Sequence, residues 1–206
     1  LQLHGNAENM TTHFTSLVWM VHHGFDLVTF DYRGYGSSEG YPYTAGVHMD
    51  AVTVLNYVHE ECRKAGMLLI VHGQSLGGVI AMRAVGDMHR RERVAMIVAE
   101  STFSSYKEIT RQKVASVCFF PFPWLASVLI SDEFSAVDAI PALSPLPLLV
   151  IHGDKDNVVP FEHGRRIYAL AREPKVFLEV RNGGHLNWMK FGRSENAKEF
   201  LRLVTL

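Results

Sequence analysis

"MLLIVHGQSLGGVIAMRAV", residues 67–85, is the stretch whose reading decides the fold. The apolar run at 67–71 has the length and composition of a strand covered on both faces. Residues 76–88 then read as a helix. Between them, Gly73, Ser75 and Gly77 form a Gly-x-Ser-x-Gly turn. A tight turn of this kind forces the serine into a strained conformation and lifts its hydroxyl out of the sheet. The small residues beside it keep neighbouring chains clear. It also sets the free N–H groups of a helix start beside the group under attack. The bare motif is a weak signal. With a strand before it and a helix after it, Ser75 reads as a nucleophile.

The same alternation continues on both sides. Apolar runs of strand length occur at 25–30, 67–71, 94–99, 146–151 and 176–180, and a short stump stands at the start, "LQL". Helical spacing of apolar residues predicts helices over 9–23, 45–65, 76–88, 161–171 and 194–203, with Gly24 and Gly66 as stops for the first two. This order predicts an α/β fold, a doubly wound and mostly parallel sheet. Residues 1–206 read as one domain. The aromatic- and proline-rich excursion at 102–140 reads as a cap or lid inserted in it.

Ligands of an open parallel sheet bind at the carboxyl ends of its strands, so the segments following the strands carry the chemistry. A serine hydroxyl needs a base, and the base needs a carboxylate to orient it. His185, in "RNGGHLN" after the last strand, is the expected base. Asp156, in "HGDKDNVVP" after the strand before it, is the expected acid; Asp154 and Glu100 are the alternates. The chain order Ser75, Asp156, His185 suits this fold. The oxyanion needs two backbone donors, expected from Leu76 just after the nucleophile and from Asn6 in "HGNAEN", with Ala7 as the alternate. His4, His72 and His152 each precede a glycine at a strand end and read as turn or packing residues. No metal-binding signature occurs, and no metal or cofactor is expected.

Composition narrows the classes. The chain has 206 residues, 48% apolar and 20% charged, with a formal net charge of -1. Its cationic residues are scattered, so no nucleic-acid partner is expected. Two cysteines, Cys62 and Cys118, make no disulfide framework and read as free thiols. The uncharged run at 114–130 approaches the length of a membrane span, but Pro121 and Pro123 interrupt it and it lies between strands of one sheet. It is not read as a span. The chain begins at Leu1 without a methionine, and residues upstream are expected. Localisation is therefore left between cytoplasmic and membrane-anchored, and oligomeric state is left open.

Taken together, "HGNAEN", "DYRGYGSSEG", "GQSLGG", "STFSSY", "PLLVIHGDKDNVVP" and "GGH" resemble the α/β-hydrolase superfamily over essentially the whole chain. More narrowly, they resemble bacterial prolyl-oligopeptidase-like hydrolases with an HGNA loop and a GQS turn. The resemblance implies a triad of Ser75, Asp156 and His185, with Asn6 and Leu76 amides in the oxyanion hole. It implies a structural role for Asp31, Arg33, Gly34 and Gly36. It also implies two or more strands ahead of the HGNA loop, which this chain does not have. The expected activity is hydrolysis of a carboxylic ester or thioester of a small acyl substrate. "CFFPFPWL", residues 118–125, is a candidate acyl pocket. The alternatives are an amide or peptide hydrolase and a binding module that has lost catalysis.

Overall fold

The computed structural model describes residues 1–117, 130–186 and 194–205. Strands β1 (Gln2–Leu3), β2 (Leu69–Gln74), β3 (Val94–Glu100), β4 (Leu148–Gly153) and β5 (Lys175–Val180) form one sheet in that order. All four neighbouring pairs are parallel. Helices α2 (Thr44–Ala65), α3 (Leu76–Asp87), α4 (Tyr106–Val117), α5 (Phe161–Leu170) and α6 (Glu195–Val204) follow α1 (Met10–His13) along the chain. The expected doubly wound α/β architecture is the observed one.

Strand alternation assigns the two faces. On one side Val71, Ile97, Ala99, Leu148 and Val150 pack with α2, α3 and α5. On the other, Met96, Val98, Leu149, Ile151 and Val180 meet Phe200 and Val204 of α6 and Leu17, Trp19 and Met20. Ile97, Leu148, Leu149 and Ile151 are all essentially inaccessible. Burying each such side chain stabilises by roughly 1.5–3 kcal/mol, and this fixes the sheet that carries the site.

Two expected elements differ. The run at 25–30 forms no full strand; it meets β1 through a single parallel bridge, Gln2 with Thr29, and the Gln2 N–H donates to the Val28 carbonyl at 2.8 Å. Its partner β1 is two residues long, so the ladder has nowhere to extend. The segment at 9–23 is not one helix. It is α1 followed by 3-10 turns at Phe14–Ser16 and Val18–His23. The hydroxyls of Thr12, Thr15 and Ser16 donate to the carbonyls of Asn9, Thr12 and His13. Such bonds compete with the helical ladder. Gly24 still ends the segment, at φ 83°.

Candidate active site

The turn at Ser75 is built by close approach. Ser75 lies between β2 and α3 at φ 52°, ψ -118°. A non-glycine residue there costs on the order of 1–3 kcal/mol and persists only when its surroundings hold it. They do so on both sides of the residue. The Ser75 N–H donates to the Glu100 carbonyl at 2.9 Å. The Thr102 hydroxyl donates to the Ser75 carbonyl. Glycines make the turn sterically possible. A Cβ on Gly73 would lie 2.3 Å from the Gly77 carbonyl oxygen, one on Gly77 2.1 Å from that of Leu3, and one on Gly78 2.5 Å from the Thr102 side chain.

The loop after β1 lies against this turn. A Cβ on Gly5 would stand 3.4 Å from the Ser75 Cβ. Three side chains shape the loop. His4 is buried and its Nδ1 meets the Gly5 carbonyl at 2.8 Å. The Tyr35 hydroxyl donates to Asn6 Oδ1 at 2.7 Å. His13 Nε2 meets the Ala7 carbonyl at 2.8 Å. Asn6 itself is exposed, and Leu76 opens α3. Asp31 braces this loop by accepting from the Met10 N–H at 2.7 Å, and Arg33 ties the turn after Asp31 to α2 by gripping Asp50 with Nε and Nη2 at 2.9 and 2.7 Å.

Asp156 and His185 meet. His185 Nδ1 lies 2.8 Å from Asp156 Oδ2. The other carboxylate oxygen accepts the N–H groups of Val158 and Val159, both at 2.8 Å. The two loops are joined through backbone as well: the Lys155 N–H donates to the Gly183 carbonyl at 2.9 Å, and a Cβ on Gly153 would lie 2.3 Å from that same oxygen. Burial alone would push the Asp156 carboxyl up. The His152 and His185 imidazoles and the Val159 N–H outweigh it and hold the carboxyl well below the usual carboxylate range.

The alternate acids sit elsewhere. Glu100 is fully buried; its Oε2 accepts from Gln74 Nε2 at 2.9 Å and faces His72 Nε2 at 3.0 Å. Gln74 Oε1 in turn accepts from Gln2 at 2.8 Å, so a polar chain crosses β1, β2 and β3 beneath the turn. Asp154 uses its N–H on the Val180 carbonyl at 3.2 Å, and its Oδ1 is buried without a partner.

The excursion at 102–140 is anchored to the body of the fold. Ser105 accepts the Glu108 N–H at 3.1 Å, capping α4, and Asp132 accepts from Ser105 Oγ and the Lys107 N–H. His163 Nε2 meets Gln112 Oε1 at 2.8 Å, and Arg166 pairs with Glu108 at 2.7 Å, both between α5 and α4. Phe103 and Tyr106 stack edge to face at 5.5 Å, and burial pushes the Tyr106 hydroxyl upward. Residues 118–125, the candidate acyl pocket, lie outside the described residues. A cavity of about 690 Å³ opens among Leu1, Met20, Phe25, Cys62, Ile70 and Phe200. It does not include Ser75, Asp156 or His185.

Among the described residues, no group of three or more His, Cys, Asp or Glu is placed to hold a metal ion. Among them too, no helix is long and apolar enough to cross a membrane.

In the sequence Thr102, Tyr35 and His13 carry no local signal of these contacts, and His152 reads as a turn or packing residue.

Comparison with known proteins agrees with this architecture. The profile of the family described as serine aminopeptidase, S33, matches residues 1–130. Protein YfhR of Escherichia coli (strain K12) is 33% identical over 187 residues, covering 91% of this chain and 62% of that protein. The lysophosphatidylserine lipase ABHD12 of Macaca fascicularis is 31% identical over 190 residues, covering 88% of this chain and 47% of its own length. The chain thus spans between about half and two thirds of these relatives. Among solved structures, the Pyrococcus furiosus esterase Pf2001 superposes with a TM-score of 0.74 at 18% identity, over 98% of this chain and 80% of that one. A monoacylglycerol lipase of Paleococcus ferrophilus gives 0.66 at 19% identity, over 98% and 90%. At these identities the structures attest the α/β-hydrolase fold.

Proposed function

We propose that this chain, which belongs to the serine aminopeptidase S33 family of α/β-hydrolases, cleaves carboxylic esters or thioesters through an acyl-enzyme on Ser75. The observation that carries the reading is the 2.8 Å bond from His185 Nδ1 to a buried, ionised Asp156, at the same end of the sheet as the strained Ser75. Asp156 accepts from Nδ1, so the other ring nitrogen, Nε2, is the base. Nε2 takes the Ser75 proton as Oγ attacks the substrate carbonyl. The resulting oxyanion meets the N–H groups of Leu76 and Asn6, with Ala7 as the alternate second donor. His185 returns its proton to the leaving alcohol or thiol, and the acyl-enzyme forms. Water, deprotonated by the same nitrogen, attacks the acyl carbon and releases the acid.

The excursion at 102–140 acts as a cap over this end of the sheet, and the apolar run at 118–125 is the candidate acyl pocket. Ester chemistry is favoured over amide chemistry by the lipase and esterase activities for which the relatives are named, which are properties of those proteins. The family's description as aminopeptidases keeps amide hydrolysis as the second reading. The narrower resemblance to prolyl-oligopeptidase-like enzymes points the same way.

Two measurements test the proposal. A fluorophosphonate probe should label the wild type and not Ser75→Ala, whose turnover should fall by roughly 10⁶-fold, the loss expected when a triad nucleophile is removed. A panel of nitrophenyl esters, thioesters and amides then reads the bond type. Labelling that persists in Ser75→Ala overturns the mechanism, and turnover confined to amides overturns the ester assignment.

A further inference from the structure

His152 does more than pack. It lies at the end of β4, is completely buried, and is absent from the triad scheme. Its Nε2 lies 2.9 Å from the Val159 carbonyl oxygen and 3.5 Å from Asp156 Oδ2. A carbonyl oxygen can only accept, so Nε2 carries the proton. The shorter contact is the hydrogen bond. The longer one points the same N–H dipole at the carboxylate.

This bond closes a ring around the acid. Val159 donates its N–H to Asp156 Oδ1 and accepts from His152 through its carbonyl. Asp156 donates its own N–H to the carbonyl of Gly153, the residue after His152. The strand end, the acid and the far side of its loop are therefore tied together by one imidazole. Space has been left for that imidazole. A Cβ on Gly164 of α5 would lie 2.6 Å from His152 Nδ1, and Phe161 meets the ring edge to face at 5.9 Å. Nδ1 itself is buried without a partner. A ring kept for shape alone would not need a buried nitrogen left unsatisfied, since an apolar ring would avoid that cost. The remaining nitrogen is the one that bonds.

We propose that His152 is a positioning residue for the acid–base pair: its Nε2–H, through the Val159 carbonyl and Asp156 Oδ2, holds Asp156 in line with His185. The inference rests on the triad reading above. It assigns His152 no contact with substrate.

The test replaces His152 in the full chain and follows ester turnover and probe labelling. His152→Phe keeps the ring and removes the donor. It should lower kcat about 10-fold with KM changed less than about twofold, the cost of one hydrogen bond serving a charged group. His152→Gln places an amide N–H near the position of Nε2 and should recover most of the loss. In an Asp156→Asn background, His152→Phe should cost nothing further, because the group it positions is gone. If His152→Phe does not fold, the contrast moves to His152→Gln against His152→Asn, whose shorter amide falls short of Val159; kcat should then drop only in the latter. Equal kcat in the two variants compared, or a full additional loss in the Asp156→Asn background, overturns the inference while Ser75-dependent labelling stands. Labelling that survives Ser75→Ala overturns the triad reading and this inference with it.

Discussion

The Ser75 turn and the Asp156–His185 pair occupy the same end of one sheet but are held by different forces. The turn is held by contact. Gly73 and Gly77 let backbones, and Gly78 the Thr102 side chain, approach to distances that any Cβ would forbid, and two hydrogen bonds fix the peptide groups on either side of Ser75. The pair is held by a web of directed bonds on one carboxylate: two amide N–H groups, one imidazole, and a second imidazole through Val159. The first kind of support tolerates no added atoms. The second also fails when a donor is lost.

The comparison can be broken from either side. Among the groups that support the nucleophile and the base, the largest effect is expected at the carboxylate. Asp156→Asn keeps the shape of the side chain and loses its charge, and kcat should drop by roughly 10⁴-fold on the scale seen for triad acids. Thermal stability should change much less at neutral pH. The pH dependence sharpens this. The Asp156 carboxyl is depressed in the folded protein, so its stabilising contribution is complete above the ordinary carboxylate value and is lost as pH falls through the depressed one. The melting-temperature gap between wild type and Asp156→Asn should narrow as pH is lowered below about 4. Across about pH 5–8 Asp156 remains ionised, so it adds no titration of its own to ester turnover in that range. A rate that stays flat on acidification overturns the proposed general-base mechanism.

Gly77→Ala tests the other form of support. Its Cβ would fall 2.1 Å from a backbone oxygen of β1, which cannot rotate away. The expected loss is about 3 kcal/mol of stability, read by denaturant unfolding, and the activity of the folded fraction should fall as well because the displaced turn carries Ser75. The smallest effect is expected where a glycine is needed for its dihedral alone. Gly66 follows α2 at φ 70°, and a methyl added there would point into open space. Gly66→Ala should cost about 1 kcal/mol and leave turnover untouched. A Gly77→Ala protein as stable as Gly66→Ala would show that close packing does not support the turn.

How much of this could be read in advance follows from the range of the interactions. Strand runs, helix periods and the glycine spacing around Ser75 are local, so β2, α3 and the turn between them were legible within a few residues of their observed bounds. The helix expected over 9–23 was not, because its threonine and serine hydroxyls bond backbone carbonyls and divert the chain into 3-10 turns. The strand expected over 25–30 was lost for a different reason, a partner too short to extend a ladder.

Residue identity and order were enough to nominate Ser75, Asp156 and His185, because chemistry restricts which side chains can serve and topology restricts where they can stand. Which of Asp154, Asp156 and Glu100 His185 reaches is a contact between residues 29 apart in the chain. The same holds for Thr102 against Ser75, 27 residues away, and for Tyr35 against Asn6, 29 away. His152 reads as a turn residue in the sequence because nothing in its neighbourhood along the chain distinguishes a packed ring from a bonded one. Hydrogen bonds are decided by distance and direction in space, and only the folded sheet sets those.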